Sequence, residues 1–191
     1  MQKEFRKIIS QFQEDESTLN KIIVSVFLQS NGIKVRKNVL QSNGIKVRKN
    51  VLIKSLVIAE DSTLKKHLAY SVSKLSFDDL IEAFELAIPT KEKVINGAVY
   101  TPNYIKTFIV EHSLAKIEKP YENILAADIS CGCGAFLFTI ASKLKSETGK
   151  SFYQIFKENI FGLDISKSSI RRAEILLTIL ALANGEDRTK F

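Results

Sequence analysis

Asp128-Ile-Ser-Cys-Gly-Cys-Gly134 joins an acid to a loop of small residues with two glycines, and a second acid, Asp164, ends a later apolar run. Loops of this kind at the carboxyl ends of parallel strands bind small ligands, because a glycine lets a ligand or another backbone approach closely. Charge narrows the choice of ligand. The dinucleotide fingerprint continues to a third glycine and turns helix N–H groups toward a pyrophosphate. Here that position is the bulky Leu137. Asp128, directly before the loop, would repel a pyrophosphate but attract an amino or sulfonium group. Asp164 is placed to accept hydrogen bonds from ribose hydroxyls. Two acids around a nucleoside pocket without phosphate suit S-adenosylmethionine, with a nicotinamide site and a purely structural loop as the competing readings.

Three other features could carry chemistry. Thr101-Pro102 reads as a helix start, the hydroxyl accepting a backbone N–H and the proline occupying the first helical position; taken alone, Thr101 is more simply a cap than a ligand contact. His112, near the end of that helix, reads as a solvated residue, with no Cys, Asp or second His at ligand spacing, so no metal site is expected. Cys131 and Cys133 are one residue apart, too close for an ordinary structural disulfide and too few for zinc, which leaves reduced thiols.

The elements that must position these residues follow from apolar periodicity. Residues 124–129 suit a buried parallel strand, which needs continuous apolarity. Ala135, Phe136, Leu137, Ile140, Ala141 and Leu144 then form a helix face, completing strand–loop–helix. Residues 152–157 are helical, 160–165 form a second strand with Asp164 at its carboxyl end, and Ser166 caps a helix over 167–183 that Asn184-Gly185 ends.

Upstream, Gln29-Ser-Asn-Gly-Ile-Lys-Val-Arg-Lys-Asn-Val-Leu40 recurs unchanged as residues 41–52. Two perfect copies of so short a unit indicate a tandem duplication, not a solenoid. The copies hold Lys34, Arg36, Lys37, Lys46, Arg48 and Lys49 and no acid, which accounts for nearly all of the net charge of +7. That segment could track a phosphate backbone, although it has no aromatic to stack bases; a solvated charged face is the simpler reading. Ser17 or Thr18 is expected to cap a helix through Leu19, Ile22, Ile23, Val26 and Phe27 that stops at Asn31-Gly32. The alternation Ile-Lys-Val-Arg makes a hairpin at each Asn-Gly a competitor, with helix preferred. Residues 61–75 read as a helix, and Ser76 starts another through Leu80, Ile81, Phe84, Ala87 and Ile88 that Pro89 ends. Residues 1–90 are thus expected to be a helical N-terminal region.

With 45% hydrophobic residues and a mean hydropathy near zero, the chain is expected to be globular and soluble. Its apolar runs are too short to span a membrane, and its first residues open no signal-peptide pattern, so a cytoplasmic location is expected.

Gly97-Ala-Val-Tyr-Thr-Pro102, Asp128-Ile-Ser-Cys-Gly-Cys-Gly-Ala-Phe136 and Gly162-Leu-Asp-Ile165, in this order and spacing, resemble the adenine-N6 DNA methyltransferases of restriction–modification systems. The resemblance covers roughly residues 90–185. It implies an α/β chain: a partial S-adenosylmethionine-dependent methyltransferase (Rossmann-like) fold over 91–191, preceded by the helical region 1–90. It also implies a cofactor-binding set of Tyr100, Thr101, Asp128, Ser130, Gly132, Gly134, Asp164 and Ile165. Thr101 would touch the carboxylate end of S-adenosylmethionine, the loop residues its methionine side, and Asp164 the ribose, with Ile165 beside the adenine. Cys133 stands where the family often has serine or threonine.

The larger departure is an absence. These enzymes carry an Asn-Pro-Pro-aromatic (or Asp-Pro-Pro-aromatic) motif that binds the flipped target base. The three prolines here are Pro89, Pro102 and Pro120, so no catalytic residue is assigned. The expectation is a cofactor-binding fragment that stops before a third strand and has DNA as its partner by resemblance. Its unpaired strand edges would make it marginally stable or dependent on a second polypeptide that supplies the remaining strands, and it is expected to bind cofactor weakly if at all. The alternative reading is a non-catalytic DNA-binding or interaction module using the basic repeat.

Overall fold

A computed structural model describes residues 3–11, 15–35, 45–57, 73–91, 93, 101–118 and 120–191. The chain divides into two units, residues 1–98 with 187–190, and residues 99–186 with Phe191.

In the first unit, α1 (Lys3–Gln11) presents Phe5, Ile8 and Ile9 from one face, the three- and four-residue spacing of a half-buried helix. The cap of α2 (Glu16–Ser30) is Asp15, whose carboxylate accepts from Thr18 N–H, and neither Ser17 nor Thr18 serves as expected. Ser17 and Thr18 fall within the first turn because the helix starts two residues earlier, and a carboxylate there also suits the positive end of the helix dipole. Asn31 and Gly32, at φ +66°, end α2 as expected. The repeat corrects the preference for helix. Lys34–Val35 (β1) and Lys46–Val47 (β2) are strands, paired in parallel and not as a hairpin, with Lys34 opposite Lys46 and Val35 opposite Val47. Each residue thus faces its own duplicate, and identical alternation sets both valines on the same side of the pair, which a one-residue slip would not. Val47 is buried.

Helix α3 (Val51–Leu56) begins in the second copy, with Asn50 accepting from Ile53 N–H. Most of the helix expected over 61–75 lies outside the described residues; 73–75 are not helical, and Leu75 instead exchanges hydrogen bonds with Ser30 and Asn31. Helix α4 (Phe77–Leu86) has a complete capping box between Ser76 and Asp79 and stops before Pro89. Leu80, Ile81 and Phe84 are buried in this unit along with Leu19, Ile22, Ile23 and Phe27 of α2.

The second unit begins with α5 (Asn103–Ala115) and a 3-10 turn, Tyr121–Asn123, then β3 (Ala126–Asp128), α6 (Ala135–Thr148), α7 (Phe152–Glu158), β4 (Ile160–Gly162) and α8 (Lys167–Ala183). Pro102, and not Thr101, precedes α5, and no side chain caps that helix. The first turn is closed from the backbone instead, the Pro102 carbonyl accepting from the N–H groups of Ile105 and Lys106, where Thr101 was expected to accept one. The other caps are the expected ones: Ser151 closes a capping box with Gln154, and Ser166 accepts from Ser169 N–H. Strands β3 and β4 pair in parallel, Ala126 with Ile160 and Asp128 with Gly162. The intervening α6 and α7 form the crossover.

Both strands are shorter than expected and are covered on one face. Helix α6 packs against β3 and β4, where Ala126, Asp128, Ile160 and Gly162 are half-buried. The alternate residues Leu125, Ala127, Ile129, Phe161, Leu163 and Ile165 are exposed, Leu125 by 71% and Ile129 by 74%. Continuous apolarity implied two covered faces. The outer face has no covering layer among the described residues.

Candidate functional site

The loop after β3 is built by hydrogen bonds that begin where the strands end. The ladder runs past the last paired residues: Leu163 N–H donates to the Asp128 carbonyl at 2.9 Å and Cys131 N–H to the Leu163 carbonyl at 3.0 Å. Asp128 then folds the chain back, its Oδ1 accepting from Ser130 N–H at 3.1 Å. A tight turn closes with Gly134 N–H on the Cys131 carbonyl at 2.8 Å. Asp164, two residues beyond β4, holds the turn from the other side. Its Oδ2 accepts from Gly132 N–H at 2.9 Å and its Oδ1 from Ser166 N–H at 2.8 Å. One carboxylate therefore fixes both the glycine loop and the start of α8, while each oxygen keeps a lone pair for a further donor.

The glycines have three different reasons to be glycine. Gly132, at φ +51°, has nothing within 4 Å of where a Cβ would stand, so the space beside it is open. Gly134, at φ +87°, caps α6, and a Cβ there would lie 2.9 Å from the Ala173 Cβ and 3.1 Å from its Cα. This second glycine serves helix packing. Gly162 in β4 is opposite Leu137, whose Cδ1 would lie 2.6 Å from an added Cβ, with Cys131 Sγ at 3.2 Å. The bulky residue at the third fingerprint position is thus accommodated by a glycine on the next strand.

Both cysteines are buried and neither is in a disulfide. Burial, and then the carboxylates of Asp128 and Asp164, push the Cys131 thiol up to about 11, so it stays protonated at neutral pH. Its Sγ stands against Gly162, and a protonated thiol is a poor nucleophile. His112 is exposed, with Nδ1 2.9 Å from the Phe108 carbonyl and its ring against that of Phe108. No group of three or more His, Cys, Asp or Glu that could hold a metal occurs among the described residues. None of the described helices is long and apolar enough to cross a membrane.

Of the residues singled out from the sequence, the structure joins Asp128, Ser130, Gly132, Gly134 and Asp164 in one hydrogen-bonded turn. Ile165 follows directly and is 90% exposed. Thr101, half-buried, is outside these hydrogen bonds, and Tyr100 lies outside the described residues. The sequence reading missed Gly162 as a packing position. The pair of Leu137 and Gly162 could have signalled it, since a large side chain after the loop demands a small one on the neighbouring strand.

An acid-flanked glycine turn at the carboxyl ends of two parallel strands, followed by a capped helix, stands where α/β folds in general bind small ligands. A family model, N-6 DNA Methylase, matches residues 75–187, more than half of the chain. The chain belongs to the N-6 DNA methylase family. That family methylates DNA at adenine N6 and generally uses S-adenosylmethionine. Neither a curated protein nor a solved structure gives a match to the chain.

Proposed function

We propose that residues 91–191 are the S-adenosylmethionine-binding part, Rossmann-like in plan, of an adenine-N6 DNA methyltransferase of a restriction–modification system, and that residues 1–90 are its helical N-terminal region, in a cytoplasmic protein. The observation that carries this reading is the Asp164 carboxylate. It is held rigidly by Gly132 and Ser166 N–H groups at the rim of a turn whose Gly132 side is open.

The residues present fit the cofactor. Asp164 would accept the ribose hydroxyls with its remaining lone pairs, and Ile165, a large apolar side chain left 90% exposed, would be covered by the adenine. Asp128, Ser130 and Gly132 would line the methionine side, where a carboxylate favours the positive charge of the donor. Gly134 would contribute by shaping the turn. Tyr100 and Thr101 would close the carboxylate end. S-adenosylmethionine supplies an electrophilic methyl on its sulfonium, while these residues bind and orient it.

Transfer to adenine needs more than these residues. The Asn-Pro-Pro-aromatic motif is not among residues 1–191. We therefore infer that methylation depends on polypeptide beyond them, either continuous with this chain or a second one, which would also cover Leu125, Ile129, Phe161 and Leu163. The exposed apolar face of β3 and β4 supports that inference.

Titration of the chain with S-adenosylmethionine by calorimetry, together with its Asp164→Asn variant, tests the cofactor reading. Asparagine keeps one acceptor oxygen but loses the charge and half of the clamp. Saturable binding that weakens at least tenfold in the variant is expected, at an unchanged melting temperature of the first unit. Binding of equal strength in both proteins, or tighter binding of a nicotinamide dinucleotide, would refute it.

A further inference from the structure

The cradle makes no use of the most basic part of the molecule. The parallel pairing of the two repeat copies sets Lys34 directly opposite Lys46, with strand spacing of about 4.8 Å. Like charges in that position repel, so in-register pairing of identical copies creates a site that an anion would stabilise. Beyond β2, Arg48 and Lys49 are exposed, and Lys54 Nζ donates to the Arg48 carbonyl at 3.0 Å.

A second segment adds to the same place. Asp187 accepts from the backbone N–H groups of Arg48, Lys49 and Asn50 at 2.6, 2.9 and 3.0 Å. Asn50 Nδ2 donates to the Arg188 carbonyl at 3.1 Å, and Val51 N–H to the Thr189 carbonyl at 3.2 Å. These bonds lay residues 187–189 along Arg48–Val51, so the segment that carries Arg188 and Lys190 adjoins the second copy. Strand pairing and these bonds thereby join three basic stretches of sequence, and Asp187, the acid among them, is occupied by backbone N–H groups.

We propose that this cluster, Lys34, Lys46, Arg48, Lys49, Lys54 and the 188–190 segment, is a contact surface for the phosphate backbone of duplex DNA. The choice of DNA rests on membership of the N-6 DNA methylase family. The choice of duplex over single strand rests on composition: each repeat copy is without an aromatic residue, so it offers cations for phosphates and nothing for unpaired bases to stack on. Duplication adds three cationic residues to the chain, the equivalents of Lys46, Arg48 and Lys49, and no acid.

The test is the salt dependence of binding to a fluorescently labelled mixed-sequence duplex, followed by anisotropy. Each phosphate contact contributes a slope of about −0.9 in log K against log salt, or about eightfold in affinity at 0.1 M salt. Lys34→Gln with Lys46→Gln should flatten the slope by about 1.8 and weaken binding by about 60-fold at that salt. Excising twelve residues anywhere within the two copies yields the same single-copy chain. That variant should also lose slope while the Asn31 end of α2 and the Asn50 start of α3 remain encoded.

Lys116→Gln with Lys157→Gln, exposed lysines of the other unit, serves as the control and should leave the slope unchanged. Circular dichroism melts establish that the double-glutamine variant is folded. An unchanged slope in that variant, an equal loss in the control, no duplex binding by the parent chain, or equally tight binding to phosphatidylserine vesicles would overturn the proposal. Cofactor titration is independent of this readout, so failure here and failure of the cofactor reading are told apart.

Discussion

Replacing Gly134 with alanine should be among the most damaging single-methyl changes in the second unit, for two separable reasons. The residue stands at φ +87°, where an L side chain costs about 1–2 kcal/mol. The new methyl would also lie 2.9 Å from the Ala173 Cβ and 3.1 Å from its Cα, and such overpacking against helix backbone costs about 1–3 kcal/mol. The sum is about 2–5 kcal/mol. Gly132→Ala provides the contrast. It carries the backbone penalty alone, about 1–2 kcal/mol, since nothing lies within 4 Å of its added methyl. Ala173→Gly removes the obstructing Cβ at a cost of about 1 kcal/mol in helix propensity, so the double variant should regain most of the packing loss. Hydrogen exchange at the amides of Ala135–Thr148 and Lys167–Ala183 reads the stability of this unit apart from the other. The reasoning is refuted if Gly134→Ala costs no more than Gly132→Ala, or if the Gly134–Ala173 coupling falls below about 0.5 kcal/mol.

Two other outcomes concern Cys131 and Asp187. In a Cys133→Ala background, Cys131 of the folded protein should react with a disulfide reagent at a rate that keeps rising beyond pH 9 and levels only near 11, because its thiol is pushed up to about 11 from an ordinary 9.0. As pH rises through that window the unfolded chain loses the proton first, so the stability contributed by the neutral thiol falls from pH 9 upward; a native rate that plateaus at pH 9 would contradict this. Asp187→Ala leaves three N–H groups without their carboxylate and should destabilise the first unit by about 1–3 kcal/mol in thermal melts, with Asp187→Asn recovering part of it; a melt unchanged by Asp187→Ala would mean that water replaces the carboxylate at no cost.

The second unit was legible because its signals are local and redundant. Ser151 and Ser166 each sit three residues before the N–H they accept from, with apolar periodicity beginning at Phe152 and at Ile170. Asp128, the glycines and Asp164 could be placed at strand ends because a short apolar run followed by small residues has few other structures open to it. Relations across the fold were not legible. The bond from Gly132 to Asp164 spans 32 residues, and the demand of Ala173 on Gly134 is longer still in range. Both depend on how α8 packs, which the periodicity of α8 alone does not specify. The exposed outer face of β3 and β4 has the same origin. Apolar residues on both sides of a strand show that both faces suit burial, not that both are covered.

The repeat separates local sequence from context with composition held constant. Twelve identical residues occur twice, yet the first copy ends α2 at Asn31-Gly32 and then extends, while the second copy extends and then starts α3 from Asn50. The cause lies in the neighbouring sequence. After Asn50 come Val-Leu-Ile-Lys-Ser-Leu, which place Ile53 and Leu56 in the core at helical spacing. After Asn38, the equivalent asparagine of the first copy, come Val-Leu-Gln-Ser-Asn-Gly; this sequence offers a helix no apolar residue at those positions and two poor formers at its end. Context therefore favours a cap at Asn50 over one at Asn38, because a cap stabilises only a helix that has a face to bury. Between these two helix ends Lys34–Val35 pairs with its own duplicate, Lys46–Val47, because the valine alternation fits. The end of α2 and the start of α3 each rest on residues outside the basic part of the repeat, Phe27 and Leu28 before it and Ile53 and Leu56 after it, so the duplicated cations are not what holds either helix.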